Sequence, residues 1–181
     1  MPATPSHSAV VVPVPSAEEG LARWRQRFDP SGRLGMPAHI TLLSPFLDPD
    51  QLTPAVLSRL RQLCGQRASI RVEFKRLGRF PDTLYLDPDP AAPFRELTET
   101  ISGEWPSHQP YGGAFAEIIP HLTVAHGVEA DVLRDIEREL RSRLPIVAQL
   151  DAAELFWFDG DRWQSRARLP FAPTHRPAPP R

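Results

Sequence analysis

Two short apolar runs in this 181-residue chain carry the same pattern, His39-Ile40-Thr41-Leu42 and His121-Leu122-Thr123-Val124. In a β-strand successive side chains point to opposite faces, so each histidine shares a face with its threonine while the aliphatic residues fill the other. The surrounding segments, Ala38 to Phe46 and Ile118 to Ala125, are bounded by proline and glycine, which favours strands over helices. The fold must therefore hold two strands with an apolar back and a front of imidazole and hydroxyl. Two such fronts read as the two halves of one phosphate site.

With 41% apolar side chains, the chain can bury the core of one ordinary domain. The second histidine follows the first by 82 positions, so each half of that domain can supply one motif. A formal net charge of −1 gives no basic field and argues against extended binding to a nucleic acid backbone. A small phosphate ester or an RNA end remains a suitable partner. Cys64 is the single cysteine, which excludes an internal disulfide and fits a reducing, cytoplasmic setting. The short apolar run Ala9 to Val14 has no basic segment before it and is broken by Pro13, so neither a signal peptide nor a membrane span is expected. Many of the 22 prolines crowd the ends, where residues 1–8 and 171–181 read as solvated tails around a domain over 9–170.

Pattern alone gives an element order. Ala9 to Val14 is a strand, and Leu21, Trp24, Arg25 and Phe28 mark a helix from about Ala17 to Phe28. After the first motif strand, residues 52 to 64 form an amphipathic helix that Gly65 can end. Ile70 to Phe74 and Thr83 to Leu86 are strands, separated by Gly78 and Pro81. A helix over Pro93 to Ser102 and a loop from Trp105 to Gly113 lead to the second motif strand. Val132 to Leu144 is helical, Ile146 to Phe158 holds one or two strands, and Asp159-Gly160 turns the chain into Trp163 to Leu169. Both halves thus run from motif strand to amphipathic helix to strand pair.

The chain resembles the 2H phosphoesterases, and within them the 2′-5′ RNA ligase-like branch, over roughly residues 9 to 170. Pro37-Ala38-His39-Ile40-Thr41-Leu42-Leu43 carries the resemblance, together with Pro110-Tyr111-Gly112-Gly113 through Pro120-His121-Leu122-Thr123-Val124-Ala125. It departs at Ser44, where many similar sequences place an aromatic residue before the proline. The resemblance implies an α+β, bilobal domain with two antiparallel sheets related by a pseudo-two-fold axis, outer helices and a central cleft. It also implies a phosphoesterase acting on 2′,3′-cyclic phosphates or 2′-5′ linked ribonucleotides and RNA ends, working as a monomer without cofactor or metal.

Residue chemistry supports that reading independently. An imidazole with an ordinary pKa of about 6.5 is available in both protonation states near neutrality, so His39 and His121 can act as a base and acid pair. Thr41 and Thr123 can donate hydrogen bonds to non-bridging phosphate oxygens. Which histidine is base stays open here. A non-catalytic module that holds a nucleotide or RNA terminus in the same cleft is the alternative function. Zinc on His39, His121 and His126 is a further alternative, against which no His-x₃-His or Cys-x₂-Cys spacing occurs.

Other residues can shape specificity. Tyr111, in a glycine-rich loop before the second motif, is the best candidate to bind substrate. Phe46 and Phe80 read as core and Trp163 as a hairpin cover, while Arg79 or Arg162 could pair with a second phosphate. Regular alternation places His126 on the face opposite His121, as a strand-end or surface residue. His108 reads as exposed, and His7 and His175 as solvated in the tails. Arg134, Arg138, Arg141 and Arg143, interleaved with acids, read as an ion-paired helix face.

Overall fold

Proline and glycine divide the chain into short elements, and apolar periodicity decides which of them coil. β1 (Ser8–Pro13) leads through α1 (Pro15–Phe28) and the single turn α2 (Pro30–Arg33) to the first motif strand, β2 (His39–Leu43). Next come α3 (Pro54–Gly65), the hairpin of β3 (Ile70–Phe80) and β4 (Thr83–Asp89), α4 (Ala92–Glu104) and the second motif strand, β5 (Leu122–His126). α5 (Ala130–Arg141), β6 (Ile146–Leu150), β7 (Ala152–Phe158) and β8 (Trp163–Pro170) complete the order. The structure is a computed structural model and describes residues 7–114 and 117–173. His175 and most of both expected tails lie outside the described residues.

Local chemistry starts the helices. Thr53 accepts the Val56 N–H at 3.3 Å and Pro54 follows it, a pairing that satisfies one free donor and presets the backbone of α3. Asp29 does the same for α2 through the Ser31 N–H at 3.0 Å.

The eight strands form one antiparallel sheet in the order β6-β3-β4-β5-β2-β1-β7-β8. This corrects the expectation of two separate sheets. The motif strands meet edge to edge through one residue pair, Ile40 opposite Leu122, which joins four strands on one side to four on the other. Pairing covers two inner strand edges whose backbone groups would otherwise lack partners. Each crossover helix packs across the seam: α1, between β1 and β2, lies against β5, and α4, between β4 and β5, lies against β2.

Both motif strands bulge at the same place. Against β1, Thr41 pairs with Val11 and Leu43 with Val10, leaving Leu42 as the extra residue. Against β4, Thr123 pairs with Tyr85 and Ala125 with Leu84, leaving Val124 extra. Two consecutive side chains after each threonine are therefore buried, Leu42-Leu43 and Val124-Ala125. β1 is covered on both faces, with Val10 and Val12 in the main core and Ala9 and Val11 against Met36 and Phe156, which explains its unbroken apolar run.

The ordered chain reaches further than the sequence reading placed it. Ser8 is buried with its hydroxyl on the Leu47 carbonyl at 2.6 Å, and His7 sets its ring edge-on to Trp163 at 5.1 Å. At the other end Phe171 is buried and Ala172 bridges Ala68. β3 also continues through Gly78, which does not break it. A Cβ on Gly78 would lie 2.2 Å from the ring of Tyr85, its partner on β4, so the missing side chain makes room for that ring.

Candidate active site

The Ile40–Leu122 pair fixes the site by register. In an antiparallel pairing centred there, His39 stands beside Thr123 and Thr41 beside His121, all four on the face opposite the buried Ile40 and Leu122. All four are half-buried, which leaves a polar face open to a ligand above an apolar floor. His39 begins β2, whereas His121 lies one residue before β5.

The two imidazoles are anchored alike. Nδ1–H of His39 donates to the Pro37 carbonyl at 2.7 Å, and Nδ1–H of His121 donates to the Ile119 carbonyl at 2.7 Å. Each ring is thereby held in one tautomer, with Nε2 left to accept or deliver a proton at the site. Burial is the main reason why both rings hold protons less well than a free histidine. The His39 pKa falls to about 4, pushed further by the Arg25 guanidinium and by His121, against the opposing effects of the Pro37 bond and Asp29. The His121 pKa also falls, with its bond to Ile119 acting the other way.

The charge behind His39 comes from α1. Arg25 is 2% exposed and donates to Asp29 Oδ2 from Nε at 3.1 Å and Nη2 at 2.9 Å, while Nη2 also reaches the Met36 carbonyl at 3.0 Å. Asp29 in turn caps α2. Helical spacing shows Arg25 only as part of an inward face; its i,i+4 spacing to Asp29 is a local signal for the ion pair, whereas nothing local marks it as the neighbour of a histidine on another strand.

Rings surround His121. Phe80 meets it edge-on with centroids 5.2 Å apart, Tyr85 is tilted at 5.3 Å, and Tyr111 stacks at 6.1 Å with 16° between planes. Tyr111 is held by its N–H on the Ser44 carbonyl at 2.8 Å, by a left-handed φ of 54° and by a hydrogen bond with Thr41. Burial pushes its phenol up to about 12, so it is neutral at ordinary pH. The structure places Tyr111, the sequence candidate for substrate binding, beside His121 and Thr41. Phe80 is corrected from core to site wall, since β3 runs on past Gly78. Tyr85 was missed; the signal was Gly78, whose empty position faces an aromatic partner. Phe46 is core and Trp163 covers its hairpin, as read.

A cavity of about 570 Å³ opens on this side, touching His121, Thr123 and Tyr111 but neither His39 nor Thr41. His126 also lines it. The bulge at Val124 reverses strand parity, so His126 pairs with Thr83 and returns to the face of Thr123, correcting the opposite-face expectation while leaving it an exposed strand end. Its Nδ1 lies 2.7 Å from the Thr83 hydroxyl. His108, expected exposed, is half-buried with its ring against Phe46 at 5.9 Å. Arg79 is engaged with Glu137, which also binds Arg141, and Arg138 pairs with Asp135. Among the described residues no three His, Cys, Asp or Glu side chains converge as a metal site. No described helix is long and apolar enough to cross a membrane.

A family model described as the 2′-5′ RNA ligase superfamily matches residues 12–162. The chain belongs to that superfamily. As a superfamily member it is a 2H phosphoesterase. A Bacillus pumilus protein named as a phosphoesterase is 26% identical over 140 residues, covering 76% of this chain and 79% of its own length. A Bacillus cereus protein of similar name is 24% identical over 142 residues, covering 74% and 77%. The superfamily fold is also that of the Escherichia coli LigT crystal structure in apo form, at a TM-score of 0.59 and 17% identity over 93% of this chain and 98% of LigT. The Thermus thermophilus protein TT0787 matches at 0.56 with 16% identity over 93% and 100%. LigT has also been crystallised with NADP⁺ and with 3′-AMP.

Proposed function

We propose that this protein hydrolyses a 2′,3′-cyclic phosphate on a ribonucleotide or RNA end, or the equivalent 2′-5′ linkage, by paired-histidine acid–base catalysis without a metal. The observation that carries the reading is the matched anchoring of the two rings. Two Nδ1–H groups tied to carbonyls leave two Nε2 atoms on one face, beside two threonine hydroxyls that suit phosphate oxygens. The nucleotide complexes of LigT support a nucleotide as the kind of ligand this fold can take.

His39 is the base in the hydrolytic direction. Its lower proton affinity keeps Nε2 free at neutral pH, ready to take a proton from the water that attacks phosphorus. The bond from phosphorus to one ribose oxygen breaks, and that oxygen takes its proton from His121, whose protonated form is favoured once an anionic phosphate sits beside it. Thr41 and Thr123 stabilise the charge that grows on the non-bridging oxygens. In ligation the two histidines exchange roles.

The test is to incubate the full chain in a strong chelator with ribonucleoside 2′,3′-cyclic phosphates, cyclic phosphate-ended RNA and 2′-5′ linked dinucleotides, following products by mass spectrometry. Turnover in chelator that disappears in His39→Ala supports the reading. Binding without turnover makes the chain a nucleotide-holding module, and activity restored only by added metal replaces the mechanism with a metal-dependent one.

A further inference from the structure

His39 is held from behind through a single peptide group. Its Nδ1–H donates to the Pro37 carbonyl at 2.7 Å, and that carbonyl belongs to the peptide unit whose N–H is that of Ala38. The unit is trans, so its C=O and N–H point in opposite directions within one plane. With the C=O turned to His39, the N–H is turned to α1, where it donates to Oε2 of Glu18 in the first helical turn. A line of hydrogen bonds therefore runs from the Glu18 carboxylate through one peptide to the imidazole.

The neighbouring peptides have other partners. The Met36 carbonyl accepts Nη2 of Arg25 at 3.0 Å, and the Ala38 carbonyl accepts the Val14 N–H at 2.7 Å. Neither bond sets the plane of the unit between them. Glu18 is itself steadied by charge: its Oε2 lies 3.5 Å from Nη1 of Arg25, a buried nitrogen without a hydrogen-bond partner among the described residues.

The second motif cannot be held in this way. His121 Nδ1–H donates to the Ile119 carbonyl, but the nitrogen of that peptide belongs to Pro120 and carries no hydrogen. Proline stands two places before His39 and one place before His121. That shift leaves a donor for a carboxylate behind the first ring and none behind the second.

We propose that Glu18 is a positioning residue for His39, acting across the Pro37–Ala38 peptide to hold the ring in its Nδ1–H tautomer with Nε2 free as the base. The proposal rests on the phosphoesterase reading for the reaction that Nε2 serves. The carboxylate pins the peptide plane and, by polarising the peptide, strengthens the Pro37 oxygen as an acceptor for Nδ1–H. In a Ser-His-Asp triad the acid bonds its histidine directly to the same effect. Here one peptide group lies between the two.

Ring-nitrogen NMR at pH 7.5 reads the tautomer, and kinetics on a ribonucleoside 2′,3′-cyclic phosphate reads its consequence. The Glu18 side chain is 45% exposed, so its replacement should leave the chain folded. In Glu18→Ala the His39 ring is expected to pass from the Nδ1–H form to a mixture of tautomers while His121 keeps its spectrum. kcat should fall about tenfold, with KM changing less than about twofold. Glu18→Gln retains an oxygen acceptor and is expected to restore both the tautomer and most of kcat. An unchanged His39 spectrum in Glu18→Ala, the same change in both rings, or a Glu18→Gln variant as impaired as Glu18→Ala overturns the positioning role and leaves the phosphoesterase reading standing. A tautomer shift confined to His39, in a chain that turns over no cyclic phosphate, supports the role of Glu18 while removing the phosphoesterase reading.

Discussion

The two motifs repeat one another in sequence, in hydrogen bonding and in bulge position, yet their surroundings share almost nothing. His39 has a buried ion pair behind it, Arg25 with Asp29, supplied by a helix of its own half. His121 has rings around it and a cavity beside it, built from β3, β4 and the loop that carries Tyr111. In the proposed mechanism the repeated unit handles the proton and the phosphate, tasks that need two matched groups. The unrepeated surroundings set how readily each ring ionises and what else fits nearby. On the proposed mechanism, symmetric chemistry and asymmetric surroundings fall to different residues.

The strongest way to break the comparison is to remove one ring at a time. His39→Ala and His121→Ala should each lower kcat by about 10²-fold to 10⁴-fold, and the double variant should be little worse than either single one, as for groups acting as a unit. Steady-state kinetics on a cyclic phosphate decides it; one ring dispensable and the other essential would leave the symmetry structural only.

The ion pair comes next. Arg25→Met leaves Asp29 buried without its partner, and denaturant unfolding should show a loss of about 3–5 kcal/mol. Arg25→Gln also removes a charge that holds His39 down, so NMR titration of the His39 ring protons should show its pKa rise towards the ordinary value while His121 moves little.

A stability profile against pH probes the same asymmetry in the unaltered chain. Between the ordinary value of about 6.5 and the His39 value of about 4, the unfolded chain binds the proton and the folded chain does not. Stability from this residue is therefore fully present above about pH 6.5 and falls as pH drops to about 4, by roughly 3 kcal/mol. His39→Gln should flatten that part of the curve, and an unchanged slope would show that the ring is not held neutral by burial.

The smallest effects sharpen the comparison. Thr41→Val and Thr123→Val should each remove about 1–3 kcal/mol of transition-state stabilisation in kcat/KM. Tyr111→Phe, which loses only the bond with Thr41, should cost about 1 kcal/mol or less. Unequal losses from the two threonines would show the phosphate seated nearer one motif.

Much of this was legible in the sequence where the information is local. Strand alternation placed His39, Thr41, His121 and Thr123 on one face because each motif is only three residues long, too short for an irregularity to intervene. Apolar spacing found α3 and α5 for the same reason. Alternation failed at His126, where one inserted residue changes parity without leaving a mark in composition. It failed again at Gly78, whose role depends on Tyr85 in another strand. Arg25 and Asp29 are adjacent turns of a helix and its cap, and their influence on His39 exists only after α1 has crossed under the seam. The joining of the halves into one sheet rests on a single residue pair, a contact between segments 82 positions apart that no local pattern reports.

The twin bulges also set rules for how this chain can gain or lose residues. Upstream of Leu42 and Val124, side-chain direction is fixed by the seam; downstream, it is fixed by the extra residue. Removing Val124 would leave Thr123 opposite Tyr85, Ala125 opposite Leu84 and His126 opposite Thr83 in regular alternation, so a one-codon deletion takes out the bulge and keeps His126 on the cavity side. Relatives aligned without a gap at this point but lacking the bulge would carry their sixth motif residue on the opposite side of the sheet. Comparing residue types column by column there would compare a rim residue with a core residue, and the reading frame that matters is one of faces.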